Sequence, residues 1–168
     1  MIRTRVFGSV TQRRAFASAT TFEIHYAPRT VLPMHAHEAP LFLLTLEGSF
    51  HETAGTCERT CVPGRMLYRP AGQRHAQRFH DAGARCLAIE FYSDLAVTLK
   101  CADRDCEFRG QAALLAMRLY DELSTPTIDT ELVVEETLVR LASVAAGPES
   151  REHEASPAWL GRVIDLID

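Results

Sequence analysis

The sequence lacks an apolar run long enough to cross a bilayer. Its longest apolar stretches, such as residues 41–46, fall far short of the ~18 residues that a spanning helix needs. It lacks an excess of positive charge: the formal net charge is −4 and the pI is near 6.0. This segment therefore does not grip phosphate backbones by itself, and any contact with DNA must come from another part of the molecule. Arg3 and Arg5 near the amino terminus are not followed by an apolar stretch, so no secretory signal is read and the cytoplasm is the expected compartment. Tight cysteine pairs are missing as well. The five cysteines are an odd number, with three residues between Cys57 and Cys61 and four between Cys101 and Cys106. That usage fits a reducing compartment and ordinary buried or loop thiols, not a disulfide framework or a zinc cluster. Cys86 lies in an apolar strand pattern and reads as core. There is no internal repeat and no low-complexity tract.

What is present suits a soluble globule of one core: 168 residues, 46% hydrophobic and 24% charged, a size that folds without disulfides or metal. Up to about residue 100 the chain reads as short strands at 22–26, 41–46, 65–68 and 86–92. Turn signals punctuate them at Glu47-Gly48, Ala54-Gly55, Pro63-Gly64, Ala71-Gly72 and Ala82-Gly83. Many short strands at such spacing predict a β-barrel or sandwich. The period then changes. Leu115, Leu119 and Leu123 form a helical stripe, Thr125-Pro126 breaks it, and a second helix starts near Asp129 or Thr130 with Val134, Leu138, Leu141 and Ala145 on its apolar face. Gly147-Pro148 stops that helix, 148–156 reads as a polar linker, and Pro157 opens a third pattern carrying Trp159, Leu160, Val163, Ile164 and Ile167. The expected class is mainly β (α+β), with domains at 1–100 (barrel), 101–147 (helix pair), 148–156 (linker) and 157–168. The last pattern stops short at Asp168 and reads as cut.

His35-Ala36-His37 places two imidazoles on one side of a strand. Further on, residues 64–75 supply Gly64, Pro70, Gly72 and His75 in an order that resembles the second cupin motif, G-x5-P-x-G-x2-H-x3-N, with Phe79 where the family has Asn. The first cupin motif, H-x-H-x3-E-x6-G, aligns with His35, His37 and Gly48, with Leu41 at its carboxylate. The resemblance implies a cupin barrel and carries over His35, His37 and His75 as metal ligands, without the fourth. Three imidazoles suit zinc with an open fourth position, the first expectation, and equally nickel, copper or iron. The other reading makes them hydrogen-bonding residues of an organic-ligand pocket. The odd-numbered face continues through Leu41, Leu43 and Thr45 to Glu47, giving either a largely apolar pocket or a filled barrel core. Glu38 points the other way unless a bulge intervenes. His51 and His80 read as surface, His25 and His153 carry no signal, and Arg69 and Arg74 read as residues of an exposed turn.

Over nearly its whole length the chain looks like the amino-terminal part of AraC-family transcription regulators. The residues that carry the likeness are the run 35–38, Leu46-Glu47-Gly48-Ser49-Phe50, Arg69-Pro70-Ala71-Gly72 with His75, and 85–91. Residues 156–168 are similar to the opening of the family's helix-turn-helix domain. The resemblance implies a ligand-sensing and dimerisation domain. Its effector, a small molecule or a metal, would sit in the barrel, a homodimer would form through the helix pair, and DNA would be bound only by the C-terminal part. No membrane partner is expected. For Leu115, Leu119, Leu138 and Leu141 two roles stand open, subunit contact or barrel cover. The competing class is a metal-dependent cupin enzyme of dioxygenase or isomerase type.

Overall fold

The computed structural model of the chain describes residues 7–92, 106–108 and 110–146. The linker and the Trp159 helix expected from the sequence lie outside them. Strands β1 (Ser9–Ala15), β2 (Ala19–Tyr26), β3 (Val31–His35), β4 (Leu41–Ala54), β5 (Cys57–Cys61), β6 (Met66–Arg69), β7 (His75–Phe91) and β8 (Cys106–Phe108) precede helices α1 (Gln111–Ser124) and α2 (Thr130–Ala146). All strand pairs are antiparallel. The main path runs β1-β2-β7-β4-β6-β8, with β3 added to β7 and β5 to β4. No helix among the described residues is long and apolar enough to cross a membrane.

Side-chain alternation divides two cores between the faces of this sheet. Leu41 and Leu43 of β4 join Phe22, Ile24, Tyr26, Leu67 and Ala88 inside the barrel. Phe42 and Leu44 point the other way, where they pack with Leu87, Ile89, Phe91 and Phe108 beneath the helices. A sheet buried on both faces needs apolar residues at consecutive positions. That is why 41–46 and 86–91 are apolar at consecutive positions, interrupted only by Thr45 and Glu90.

The helix pair supplies the second cover. Leu115, Leu119 and Leu123 of α1 and Val134, Leu138 and Leu141 of α2 are buried in that outer core. Of the two roles open for Leu115, Leu119, Leu138 and Leu141, the structure gives them the cover. Leu114, Met117, Leu132 and Val139 are the exposed apolar residues of the two helices. Polar ties fix the pair to the barrel. Glu135 of α2 accepts hydrogen bonds from the backbone N–H and the hydroxyl of Ser18 in the β1–β2 turn. Arg85 of β7 donates to the Tyr120 hydroxyl of α1 at 2.7 Å. Thr130 opens α2, but its hydroxyl accepts from the Thr127 amide and donates to Glu122.

Two of the expected turns are absent. Glu47-Gly48 lies within β4 and Ala82-Gly83 within β7, and both strands are interrupted there without ending. The β4–β7 register shifts between Thr45 and Glu47 and again between Gly48 and Phe50. Such bulges bend a strand and let it pass from one sheet layer to the next. Gly48 and Gly83 adopt φ of 70° and 67°. A Cβ on Gly48 would stand 2.1 Å from the Gly83 carbonyl oxygen, and one on Gly83 would stand 2.3 Å from that of Tyr26. The strands cross here at a distance only glycine permits.

Gly55 is a control, since it shares the left-handed conformation (φ 61°) but faces open space. Gly55→Ala is expected to cost roughly 1–2 kcal/mol, the left-handed penalty alone. Gly48→Ala should cost several-fold more, read as the difference in urea unfolding free energies. Equal costs would mean that the corner relaxes freely.

Candidate functional site

β3 pairs with the start of β7 so that His35 lies opposite His75. The Gly72 amide donates to the His37 carbonyl at 2.8 Å, which staples the loop before β7 to the segment after β3. The three rings therefore meet, with centroids 4.2 Å apart for His35–His75 and 5.2 Å for each of the other two pairs. One ring nitrogen from each of His35, His37 and His75 lies within 4.8 Å of the others. His35 Nδ1–H donates to the Pro33 carbonyl at 2.8 Å and His75 Nδ1–H to that of Gln73 at 3.1 Å. With Nδ1 protonated, Nε2 carries the free lone pair, the arrangement that orients a ligating imidazole. His75 Nε2 is buried and has no hydrogen-bond partner among the described residues. Burial lowers the pKa of all three, and the positive charge of Arg69 adds to the shift. His37 falls to about 4 and His75 to about 2. Neutral imidazoles with one orphaned nitrogen make a donor set that fits a divalent transition metal, with room for a further ligand.

The rest of the interior departs from the expected face. Leu41 and Leu43 line the cavity beside His35 and His37. Thr45 is buried but is not part of that lining. Glu47 is not in the barrel at all: its exposed carboxylate pairs with Arg85 outside. Leu46 is the extra residue of the bulge between Thr45 and Glu47, and one extra residue reverses the parity of everything after it. Beyond the corner the even-numbered Phe50, Glu52 and Ala54 are the buried residues.

Glu52 was invisible to strand parity, and it anchors the polar interior. Its carboxylate, 0% exposed, forms ion pairs with Arg69 and Arg59 and accepts from Gln77 Nε2 at 3.1 Å. Arg69 also lies inside the barrel. The residue expected on an exposed turn is the last residue of β6, in register with Leu41, and is 2% exposed. The signal available was its parity with Leu67, which faces the barrel interior. Arg74 is exposed, as are His25, His51 and His80. Phe79, where the cupin motif has Asn, stacks on Tyr26 at 4.1 Å and packs against Phe50 at 5.0 Å.

These rings leave a cavity of about 30 Å³ at Leu41, Leu43, His35, His37, Arg69 and Glu90. Drug-sized ligands occupy roughly 300–1,000 Å³, so the barrel is largely filled. A larger, open groove of about 660 Å³ lies at Arg29, Val31, Arg78 and Asp81 and includes none of the three histidines. Burial pushes the thiols of Cys61 and Cys86 up to about 12, so neither is a ready thiolate, and Cys57 is exposed.

No sequence family matches the chain, and no curated protein matches it. Solved structures do. The AraC-like transcriptional activator CuxR superposes with a TM-score of 0.57 at 16% identity, over 92% of this chain and 61% of that one. The chain thus spans less than two thirds of the activator's length. A cupin-2 domain protein from Shewanella frigidimarina matches with a TM-score of 0.42 at 16% identity, over 51% of this chain and 85% of that one. An oxalate decarboxylase of Bacillus subtilis matches with a TM-score of 0.45 at 14% identity, over 75% and 37%. The architecture is that of a cupin: an antiparallel β-sandwich barrel followed by two helices. Proteins of this fold include both a regulator and enzymes.

Removing one partner from a buried ion pair leaves an uncompensated charge, at a cost of about 3–5 kcal/mol. Glu52→Gln and Arg69→Met are each expected to cost that much in denaturant unfolding. The double variant should cost less than the sum of the two. A second prediction concerns pH. His37 and His75 refuse protons in the folded state that they accept near pH 6.5 when unfolded. Stability is therefore full above about pH 6.5 and falls as the pH drops toward 4, because the unfolded state then binds more protons. Replacing His75 with Gln should flatten that slope in unfolding measured from pH 7 to pH 4.5.

Proposed function

We propose that the chain is the effector-sensing and dimerisation module of an AraC-like transcription regulator, with its effector held in the barrel at His35, His37 and His75. The observation that carries this reading is the superposition on an AraC-like activator across 92% of the chain, barrel and helix pair together. In this reading residues 1–100 sense, 101–147 cover the barrel and join subunits, and 148–156 lead to a DNA-binding part whose opening, 157–168, resembles a helix-turn-helix domain. DNA contact belongs to that part, consistent with the acidic balance of the chain. The molecule would work in the cytoplasm.

The effector that best suits the donor set is a divalent transition metal, zinc first and nickel, copper or iron equally accommodated by imidazole. When bound, such an ion supplies Lewis acidity and an open coordination position. His35 and His75 would hold it with their Nε2 atoms while Pro33 and Gln73 keep the rings oriented. His75 begins β7, and the far half of β7 carries Arg85, Leu87, Ile89 and Phe91 against α1 and α2. Drawing His75 toward His35 and His37 thus bears on the strand that supports the helix pair. An effector that favours one arrangement of that strand shifts the population of subunit arrangements. The surface available for the second subunit is Leu114 and Met117 of α1 with Leu132 and Val139 of α2.

The second reading, a metal-dependent cupin enzyme of dioxygenase or isomerase type, rests on the same histidines and their open position. Metal content decides the shared premise. As-purified protein is expected to hold close to one equivalent of transition metal by elemental analysis, lost when His35, His37 and His75 are all changed to Ala. Sedimentation tests the regulator: Leu114→Glu with Met117→Glu should dissociate a dimer that the parent forms. An unchanged assembly would remove the helix pair from the interface. Turnover of a candidate substrate, abolished by His75→Ala, would move the protein to the enzyme class.

A further inference from the structure

The guanidinium of Arg69 is only half used. One terminal nitrogen pairs with Glu52. Its Nε–H is buried and has no acceptor among the described residues, although the side chain is 2% exposed and lines the cavity beside the histidines. An orphaned donor on a buried cation is costly, more than the roughly 1–3 kcal/mol of a neutral group. We infer that the barrel interior binds a small carboxylate of three or four heavy atoms, seated between Arg69 and the histidine cluster. This rests on the barrel being the effector site and names the class of ligand it takes.

Size sets the first limit. A cavity of about 30 Å³ offers two or three water-sized positions, at roughly 10–15 Å³ each, enough for formate or acetate and too little for an aromatic acid. Charge sets the second. Glu52 pairs with both Arg69 and Arg59, and Glu90 also lines the cavity. Leu41 lies in register with Arg69 on one side and with Glu90 on the other, so it stands between the two charges. The attraction is a local charge-assisted hydrogen bond at the unpartnered Nε–H of Arg69, which a single carboxylate oxygen satisfies. Tyr26, on the same lining, stays protonated because burial raises its pKa, and its hydroxyl is a second available donor. Leu41, Leu43 and Ala88 complete the lining with surface suited to a single methyl group.

The test is calorimetric titration of the full chain with sodium formate, acetate and benzoate against chloride at equal ionic strength, on zinc-loaded and chelator-treated protein. Formate and acetate are expected to bind saturably at one site, and benzoate not at all. Ala88→Val fills the cavity without touching any charged group and should weaken formate binding at least about tenfold, because the added methyl groups take the space the ligand would occupy. Arg69→Lys keeps the charge opposite Glu52 but removes Nε and should do the same. If that variant does not fold, Ala88→Val carries the test. Formate that gives no saturable heat in either metal state overturns the inference, as does binding that survives Ala88→Val or is matched by benzoate. Zinc bound at the histidines without carboxylate binding also overturns it, and leaves metal sensing standing. Carboxylate binding that is lost in Ala88→Val but does not change subunit association supports the site and removes its sensing role.

Discussion

The pairing of β4 with β7, from Leu41 opposite Glu90 to Thr53 opposite Ala76, is the interaction on which the remaining structure depends. Each strand runs through both layers of the barrel, and each can do so only because Gly48 and Gly83 allow the backbones to cross closely at the corner. On one side of the corner the pair presents Leu87, Ile89 and Phe91 to the helices. On the other it presents Glu52 and Gln77 to the interior. A side chain of moderate size at the corner would push the layers apart and separate Glu52 from Arg69.

That separation matters because the interior is polar at its centre. A carboxylate with no exposure to water persists as an ion only when counter-charges and hydrogen bonds replace its hydration. Glu52 has two guanidiniums and an amide for this purpose. The positive charge of Arg69, in turn, helps to hold the three histidines neutral. The chemistry of the candidate site is thus set partly by an ion pair that belongs to no metal-ligand motif. The aromatic stack of Tyr26, Phe79 and Phe50 fills the space around it, which explains why so little cavity remains.

Burial of one sheet on both faces also links site and surface. The strand that begins with His75 ends beneath α1 and α2, and Arg85 and Glu135 tie the barrel to those helices by hydrogen bonds. Packed layers of this kind are close to incompressible, so a change in the position of β7 at one end must be taken up by the elements packed on the other. A sensing role requires such a mechanical route.

By itself the sequence determined the parts that depend on local period and spacing. Apolar stretches marked β2, β6 and the apolar parts of β4 and β7, the stripe through Leu115, Leu119 and Leu123 marked α1, and His35, His37 and His75 stood in cupin order. Strand and helix periods, and the spacing inside each cupin motif, are properties of short stretches of chain. Only the tertiary structure decided which face those periods serve. The bulge between Thr45 and Glu47 reset the parity of β4, sending Glu47 out to Arg85 and bringing Glu52 in to Arg69. No strand pattern shows a one-residue insertion until its partner strand is in place. In the same way the helix leucines were legible as apolar, but whether they faced a barrel or a second subunit depended on the outer sheet face beneath them. That face exists only when β2, β7, β4, β6 and β8 are assembled, because apolar burial responds to whichever surface is within reach.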